Sequence, residues 1–208
     1  MASTGRNRSP ADGEMRREQI LTEAIRIVGE RGYYGFTVQD LAQRCGISNA
    51  GLLYHFGSKD QLLLSMLQEF ERREAEAMTP LVAMAEQELE RGGASVALLH
   101  LLRIMVARAS TQPQIGRLYM ALQAETLDPS HPAHDSFRAR ETTVLDLFAR
   151  LIGPHTAEPR STARQLLALM DGLGQQWVRA DQGFDLAVEW ERAVRAVLPE
   201  LQGPTSAS

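Results

Sequence analysis

The 208-residue sequence predicts an all-α protein whose first three helices form a small unit of their own. Apolar residues recur at helical spacing through most of the chain, and no segment shows the alternation of a half-buried strand. Glycine or proline follows most of these helical stretches, as expected at helix ends. Near the N-terminus, residues 37–59 have the pattern of two short helices joined by a tight turn.

Composition limits the kinds of protein that the chain can be. No apolar run reaches the roughly 18 residues that a membrane-spanning helix needs, and the N-terminus lacks the apolar centre of a signal peptide. We therefore expect a cytoplasmic protein. Cys45 is the only cysteine, so no disulfide can form within the chain. Its position predicts a small core residue rather than a reactive thiol.

The first helix is predicted for residues 15–31. It follows residues 1–13, which are rich in serine, glycine, proline and arginine and are expected to be a disordered arm. Gly32 is expected to end the helix, and Phe36 to close the core of the three-helix unit. The apolar residues that define the buried face of this helix are Ile20, Leu21, Ala24, Ile27 and Val28.

The next two helices are recognised by their caps and by the turn between them. Thr37 can cap the first helix and pair with Asp40 in a capping box. Gly46 falls where the first helix has to stop and the backbone needs a positive φ, and Ser48 can cap the second helix. The residues expected to point inward are Leu41, Ala42, Cys45, Leu52 and Phe56.

The outward face of the second motif helix carries short or flat side chains. These are Asn49, Gly51, Tyr54 and His55, with no carboxylate among them. A surface that meets phosphates has to avoid negative charge. The pattern therefore predicts that this helix enters a groove of double-stranded DNA.

This segment resembles the helix-turn-helix of the tetracycline-repressor (TetR) family of bacterial transcription regulators. The resemblance covers about residues 16–64 and is most specific in SNAGLLYHFGSKDQLL, which begins at Ser48. Phe56, Ser58 and Lys59 match the family's Phe-x-Ser-Lys. The chain departs from the family at Leu53, where tyrosine is frequent, and instead has Tyr54 one position later.

The resemblance implies a domain organisation and a function. Residues 14–60 would form the DNA-binding domain and residues 61–200 a helical effector-binding and dimerisation domain, followed by a disordered tail at residues 201–208. The family implies a homodimeric repressor that binds a palindromic operator and is released by a small-molecule effector. It implies neither an enzyme nor a cofactor.

The expected DNA contacts lie on the two motif helices and at the start of the next helix. Lys59 is the only lysine among 22 basic residues, and a compact ammonium at a helix N-terminus suits a phosphate. The first 60 residues carry a net charge of only +1, so we expect few phosphate ion pairs and a modest salt dependence. The predicted contacts are Thr37, Ser48, Asn49, Gly51, Leu53, Tyr54, His55 and Lys59.

Helices are predicted throughout the rest of the chain. A long helix at residues 58–78, opened by a capping box of Ser58 and Gln61, is expected to end before Pro80 and to be a rigid connection. Further helices are predicted at residues 81–91, 94–110, 114–127, 133–152, 160–180 and 185–198. The segment 94–110 is apolar nearly all round, which predicts a helix enclosed by others.

The last two predicted helices form an antiparallel hairpin with an apolar stripe on each helix. Two such hairpins can close a four-helix bundle about a two-fold axis, although the same stripes would also suit an intramolecular core. We expect a dimer interface. The residues concerned are Ala163, Leu166, Leu167, Met170, Leu173, Gly174 and Trp177 on the first helix, and Leu186, Trp190, Ala193, Val194 and Val197 on the second.

The candidate effector site is predicted from polar interruptions in apolar helices. His100 and Arg103 interrupt segment 94–110 and have to be paired or face a cavity, because burying an unpaired polar group costs roughly 2–7 kcal/mol. A salt bridge to a neighbouring helix would also account for them. The other candidate lining residues are Met105, Tyr119, Phe137, Phe148, Met170 and Trp177, all of which also suit plain core.

Alternative functions are weighed against this one. His131, His134 and Asp135 have a metal-like spacing, but no cysteine or carboxylate cluster completes a site, so no metal is expected. A DNA-binding protein without an effector, whose C-terminal domain only dimerises or binds a protein partner, is the main alternative. A helical enzyme or carrier with an incidental helix-turn-helix is a third hypothesis.

Overall fold

A computed structural model describes residues 10–91, 94–153 and 156–198. This part of the chain forms nine α-helices and no strand, which confirms the predicted class. The helices are α1 (Pro10–Arg31), α2 (Val38–Arg44), α3 (Asn49–Phe56), α4 (Lys59–Glu90), α5 (Ala94–Thr111), α6 (Pro113–Glu125), α7 (His134–Ile152), α8 (Pro159–Arg179) and α9 (Leu186–Val197).

The N-terminal helix begins earlier than the sequence predicts. Residues 10–13, expected to belong to a disordered arm, form the first turn of α1, with Pro10 at the helix start, where its fixed φ and missing N–H are tolerated. The rest of the predicted arm, residues 1–9, and the predicted tail, residues 201–208, lie outside the described residues.

The caps of α2 and α3 form as predicted. The Thr37 hydroxyl accepts a hydrogen bond from the backbone N–H of Asp40 (3.1 Å), and the Asp40 carboxylate accepts one from the backbone N–H of Thr37 (3.1 Å). The Ser48 hydroxyl accepts from the N–H of Gly51 (3.1 Å). Gly46 has φ +63° in the turn between the two helices. The local sequence therefore sets the position of each helix end.

Helix α4 does not end before Pro80, so the predicted break there is wrong. The helix runs unbroken for 32 residues with Pro80 inside it. Proline in a helix interior costs about 3 kcal/mol, because it removes one hydrogen bond and crowds the preceding turn. Met78, Leu81 and Val82 on both sides of it pack against the same buried cluster. Tertiary packing therefore outweighs the local cost of the proline.

The described helices enclose two clusters of buried side chains. The N-terminal core is formed by α1–α4 together with Leu118 and Leu122 of α6 and Ala133. The C-terminal core is formed by the second half of α4 with α5, α7, α8 and α9. Helix α6 lies directly against α1 at Gly29, where a Cβ would approach the carbonyl oxygen of Gln114 to 3.0 Å. The helix-turn-helix unit is therefore anchored on a helix from the C-terminal half of the chain.

Helix α5 is central but not enclosed, so the prediction that it is buried all round is wrong. It contacts α4, α6, α7 and α9. His100 and Arg103 nevertheless lie on an exposed face, and Arg103 is paired with Glu191 on α9 (3.0 Å). The salt bridge that the sequence left open as an alternative accounts for Arg103. Neither residue is the buried polar group that a site in the interior would need.

Helices α8 and α9 form the predicted hairpin with a short turn. Asp185 caps α9, and the Trp177 indole N–H donates to the carbonyl of Phe184 (3.1 Å) across the turn. Half of the apolar residues predicted at a dimer interface are instead buried in the chain's own C-terminal core. They are Ala163, Leu166, Trp177, Leu186, Trp190 and Val194, each at most 6% exposed. A partner subunit would find almost no surface on these side chains.

Candidate functional site

The face of α3 that points away from the core is exposed and carries no charged carboxylate. Leu52 and Phe56 are buried in the N-terminal core, as predicted. Ser48 and Asn49 are exposed at the start of the helix, and Tyr54 is 88% exposed. The short helix therefore presents its N-terminal end, its backbone N–H groups and one large aromatic side chain to the outside.

Three of the predicted contacts on this helix have less exposure than Tyr54. Leu53 is 38% exposed, and His55 is half-buried with its ring 5.8 Å from that of Tyr54. Gly51 is half-buried, and its amide is already used by the Ser48 cap. Contact of these residues with DNA stays a prediction.

The N-terminal end of α2 is capped by the carboxylate of Asp40, a residue of the same helix. The Thr37 hydroxyl also donates to Asp40 (2.9 Å), and these bonds hold the pKa of Asp40 below its usual range. Arg31 lies beside this group, with its guanidinium 3.5 Å from the Asp40 carboxylate. Arg31 is an exposed cation at the motif that the sequence did not identify, because it ends α1 and belongs to no motif pattern.

Lys59 points towards aromatic rings. Its ammonium lies 4.4 Å from the centroid of the Tyr33 ring and 4.6 Å from that of Phe36. Burial lowers the pKa of Lys59, and the neighbouring Asp60 and Glu125 oppose this. The side chain thus has a packing partner within the protein, and its contact with a phosphate stays a prediction.

Most of the cationic charge on α1 and α2 is paired within the surface. Arg26 binds Glu23 (2.6 Å) and Glu30 (3.3 Å). Arg44 binds the same two carboxylates, at 3.3 and 2.9 Å. These pairs lower the pKa of both glutamates. The helix-turn-helix unit therefore offers few unpaired cations to a polyanion.

The residues predicted to line an effector site do not form one cluster. Tyr119 and Phe137 pack against the N-terminal core, whereas Met105, Phe148, Met170 and Trp177 belong to the C-terminal core. Phe148 is completely buried and Trp177 is 6% exposed, so both have the position of core residues.

A polar group lies between the two cores, and the sequence did not predict it. The guanidinium of Arg140 on α7 lies 4.3 Å from the centroid of the Tyr119 ring and 5.7 Å from that of Phe70. On the neighbouring helices, Gln123 donates to the carboxylate of Asp171 (2.6 Å). Burial raises the pKa of Asp171 and lowers that of Arg140. In the sequence, Arg140 belongs to a charged stretch that resembles an ordinary solvated helix face.

Comparison with known proteins supports the family resemblance. Residues 20–66 match the family model for bacterial regulatory proteins of the tetR family. This segment contains the second half of α1, α2, α3 and the start of α4. The matched segment is a TetR-type helix-turn-helix domain, and the comparisons together support a TetR-family regulator.

The similarity to TetR-family proteins extends over the whole chain. The transcriptional repressor BepR of Brucella suis biovar 1 is 23% identical, over 96% of this chain and 98% of its own length. The regulator BetI of Burkholderia thailandensis is 28% identical, over 83% and 86%. The structure of FadR from Bacillus subtilis has a TM-score of 0.65 at 16% identity and covers 87% of this chain and 97% of its own. These relatives are transcriptional regulators and not enzymes.

A junction joins the helix-turn-helix unit to the α6–α7 loop. The backbone N–H of Tyr33 donates to the Glu125 carboxylate (2.8 Å), and the Tyr33 hydroxyl donates to Asp60. The His131 side chain is fully buried, with its ring 4.9 Å from that of Tyr33. The contacts therefore bring the end of α1, the start of α4 and the end of α6 together around one tyrosine.

The two histidines at the α6–α7 loop make hydrogen bonds to the backbone of that loop. His131 Nδ1 accepts a hydrogen bond from the backbone N–H of Ala133 (3.1 Å), and His134 Nδ1 lies 2.8 Å from the carbonyl oxygen of Thr126. Within the described ranges, no three His, Cys, Asp or Glu side chains are grouped in a way that would hold a metal ion. In the same ranges, no helix combines the length and apolar character of a membrane span.

Proposed function

We propose that this protein is a homodimeric repressor that binds a palindromic operator through α3 and is released by a small-molecule effector. One observation carries the DNA-binding part of the proposal. The recognition helix α3 is held from behind by Leu52 and Phe56 and presents an uncharged, exposed N-terminal end. Such a helix can approach the floor of the major groove without repelling phosphates. Because the operator is chromosomal DNA, we expect the protein to act in the cytoplasm.

The proposed base contacts lie at the start of α3, which enters deepest into the groove. Asn49 is exposed there and can bind an adenine edge through two hydrogen bonds. Gly51 allows a close approach of the backbone, and Ser48 lies beside it. Leu53 offers an apolar contact in place of the tyrosine that is frequent in the family.

The remaining proposed contacts position the helix on the sugar–phosphate backbone. Tyr54 and His55 are placed for phosphates along one side of α3. Thr37 is exposed at the start of α2, and Lys59 begins α4. Arg31 joins this set because it lies 3.5 Å from the Asp40 carboxylate at the start of α2. With Arg26, Arg31 and Arg44 paired to carboxylates, we expect binding to fall only modestly with salt, well below the roughly ninth-power dependence on salt concentration that about ten ion contacts would give.

The proposed dimer uses the outward faces of α8 and α9. The core side chains of the hairpin are covered, but Ala168 and Gln175 on α8 and Val188 on α9 remain exposed. A two-fold axis through this surface would pair two α3 helices with half-sites about 34–36 Å apart, which is one turn of DNA. The relative BepR, which is named a transcriptional repressor, aligns with 96% of this chain and so includes the region of α8 and α9.

The proposed effector response rests on the way the two cores meet. Helix α6 contributes to the N-terminal core and carries Tyr119, whose ring lies beside Arg140, so a molecule bound there can shift the helix-turn-helix unit. A related FadR was crystallised with stearoyl-CoA. A coupling of about 1–3 kcal/mol would lower operator affinity roughly 5–150-fold. The alternative is a regulator whose C-terminal domain only dimerises.

Selection of duplexes from a random pool with the full chain tests the DNA-binding proposal. We expect an enriched palindrome whose half-site centres lie one helical turn apart. Asn49→Ala should weaken binding to that duplex by about 1–3 kcal/mol and relax one base position in each half-site. Gln68→Ala, an exposed polar residue on α4, is the matched control and should bind as the wild type does.

Two results would count against parts of the proposal. A pool without enrichment would reject operator binding, and enrichment of a single unrepeated half-site would reject the dimer. Analytical ultracentrifugation of the protein alone measures the dimer independently of DNA.

A further inference from the structure

The strongest unassigned feature of the molecule is the guanidinium of Arg140. It is half-buried over the rings of Tyr119 and Phe70. Among the described residues it forms neither a hydrogen bond nor an ion pair within 4 Å, so its five N–H donors have no acceptor there. None of its nitrogens is among the buried polar atoms that lack a partner, so solvent reaches them and they are open to a ligand.

Two of the three carboxylates near Arg140 are committed to other partners. Glu74 on α4 accepts from Arg108 (3.1 Å), and Asp171 on α8 accepts from Gln123 (2.6 Å). Both, with Glu71, act on Arg140 electrostatically without contacting it. Burial lowers the pKa of Arg140 and these carboxylates oppose the shift, while the hydrogen-bonding capacity of the guanidinium stays unused among the described residues.

A second donor without an acceptor lies on the next helix. The hydroxyl of Tyr119 is buried and has no hydrogen-bond partner in the described part of the chain. The Tyr119 ring is the one directly under Arg140. Two donors from α6 and α7 thus meet at one place, where a single group with two or more oxygen atoms can satisfy both.

Aromatic rings lie directly beside these donors. The Tyr119 ring lies 5.2 Å from that of Phe137 and 5.9 Å from that of Phe70. Tyr119, Phe137 and Arg140 are each half-buried, so solvent reaches this part of α6 and α7. Aromatic side chains with a few convergent polar groups are typical of a small-molecule site.

We propose that Arg140 and Tyr119 bind the carboxylate of an amphipathic organic acid, whose apolar body lies against Phe137. The proposal rests on the proposed function, because this acid would be the effector. A planar guanidinium matches a carboxylate in a two-point contact. The nearby Glu71, Glu74 and Asp171 oppose a doubly charged phosphate more strongly than a singly charged carboxylate. The ligand class is therefore a monocarboxylate.

Calorimetric titration of the full-length protein tests the proposal. The probes are decanoate with decanol, and 2-naphthoate with 2-naphthylmethanol, so that each acid is compared with its uncharged alcohol. We expect at least one acid to bind about 10- to 100-fold more tightly than its alcohol, the range for hydrogen bonds to a charged group. Preferential binding of decanoate indicates an aliphatic ligand, and preferential binding of 2-naphthoate indicates an aromatic one.

Variants assign the preference to particular side chains. Arg140→Gln should abolish the preference for the acid while leaving the affinity for the alcohol unchanged. Arg138→Gln, which removes the same charge from an exposed position of the same helix, should keep it. Tyr119→Phe keeps the ring and should lower acid affinity about 2- to 10-fold, the loss of one hydrogen bond. Circular dichroism verifies that each variant is folded, and Tyr119→Phe provides the test if Arg140→Gln is not.

Each further outcome has one meaning. Acids that bind no better than their alcohols, or not at all, overturn the site, and so does an unchanged preference in Arg140→Gln. Either result leaves operator binding intact, since no DNA is present. If an acid binds through Arg140 but leaves affinity for the selected palindrome unchanged, the site stands and the proposed effector release fails.

Discussion

The arginines of the helix-turn-helix unit and Arg140 on α7 have opposite surroundings. On α1 and α2, Arg26 and Arg44 share Glu23 and Glu30, so their charge is neutralised at the surface. Arg140 lies over aromatic rings and has no hydrogen-bond acceptor among the described residues. The outer region therefore presents mainly neutral polar groups, whereas the α6–α7 region has a cation available for the proposed ligand.

The surface ion pairs do not explain how the outer region is held together. Exposed pairs contribute about 0–1 kcal/mol each. The N-terminal core, which reaches from α1 to Leu118 and Leu122 of α6, buries far more apolar surface. The recognition helix is therefore fixed by packing, and its exposed face is free to vary with the operator.

The largest expected effect separates the two faces of α3. Leu52→Ala empties a completely buried position and should lower the free energy of unfolding by about 2–5 kcal/mol. Tyr54→Ala, on the opposite face, should leave stability within about 0.5 kcal/mol but weaken DNA binding. Urea denaturation and a duplex titration measure both. Equal stability losses would show that α3 has no distinct outer face.

A smaller effect is expected at the junction of the two regions. Gly32→Ala forces alanine into φ +72° and drives its Cβ into the Glu125 carboxylate, which accepts from the Tyr33 amide. The combined cost is about 2–4 kcal/mol. Gly46→Ala has a similar φ of +63° but open space, and should cost only about 1–2 kcal/mol. Comparable losses in the two variants would mean that Glu125 does not restrain the unit.

The smallest expected effect is a pH dependence at the same junction. Burial lowers the pKa of His131 below its usual value of about 6.5, while Glu125, Asp128 and Asp60 oppose the shift and His134 adds to it. The unfolded chain therefore binds the proton more readily. Stability should be complete above about pH 6.5 and fall as the pH decreases towards the lower folded pKa.

His131→Asn isolates this contribution. Asparagine can still accept from the Ala133 N–H but does not titrate. The free energy of unfolding of the variant, measured by urea denaturation, should change less between pH 7 and pH 5 than that of the wild type, by about 1.4 kcal/mol per unit of pKa difference. His134→Asn serves as the control. An unchanged slope in His131→Asn would exclude His131 as the titrating group.

Local sequence signals were sufficient for the helix-turn-helix unit. Thr37, Gly46 and Ser48 each fix one helix end by a cap or a positive φ, so the boundaries of α2 and α3 follow from the residues themselves. The recognition face then follows from helical spacing. These features depend on neighbours in sequence, which a single chain displays directly.

The C-terminal half depends on partners that are distant in sequence. An apolar stripe on α8 or α9 looks the same whether it faces its own core or another subunit, and six predicted interface residues face their own core. His100 and Arg103 suggested a buried polar site but lie on the surface. Arg140 resembled a surface residue but is half-buried over the Tyr119 ring. Only the packing of α4, α6, α7 and α8 reveals that difference.

The proline inside α4 has a mechanical consequence. Pro80 lies about 30 Å along the helix from Lys59, at 1.5 Å per residue, and its missing N–H removes one of the bonds that stiffen the helix there. A tilt of about 5° at this pivot moves an arm of about 30 Å by roughly 2.6 Å at its tip. That displacement is close to the length of a hydrogen bond, about 2.9 Å. Because Pro80 lacks an N–H, a small bend of α4 at this position can displace the N-terminal end of the helix by about the length of a hydrogen bond, which is enough to break a contact there.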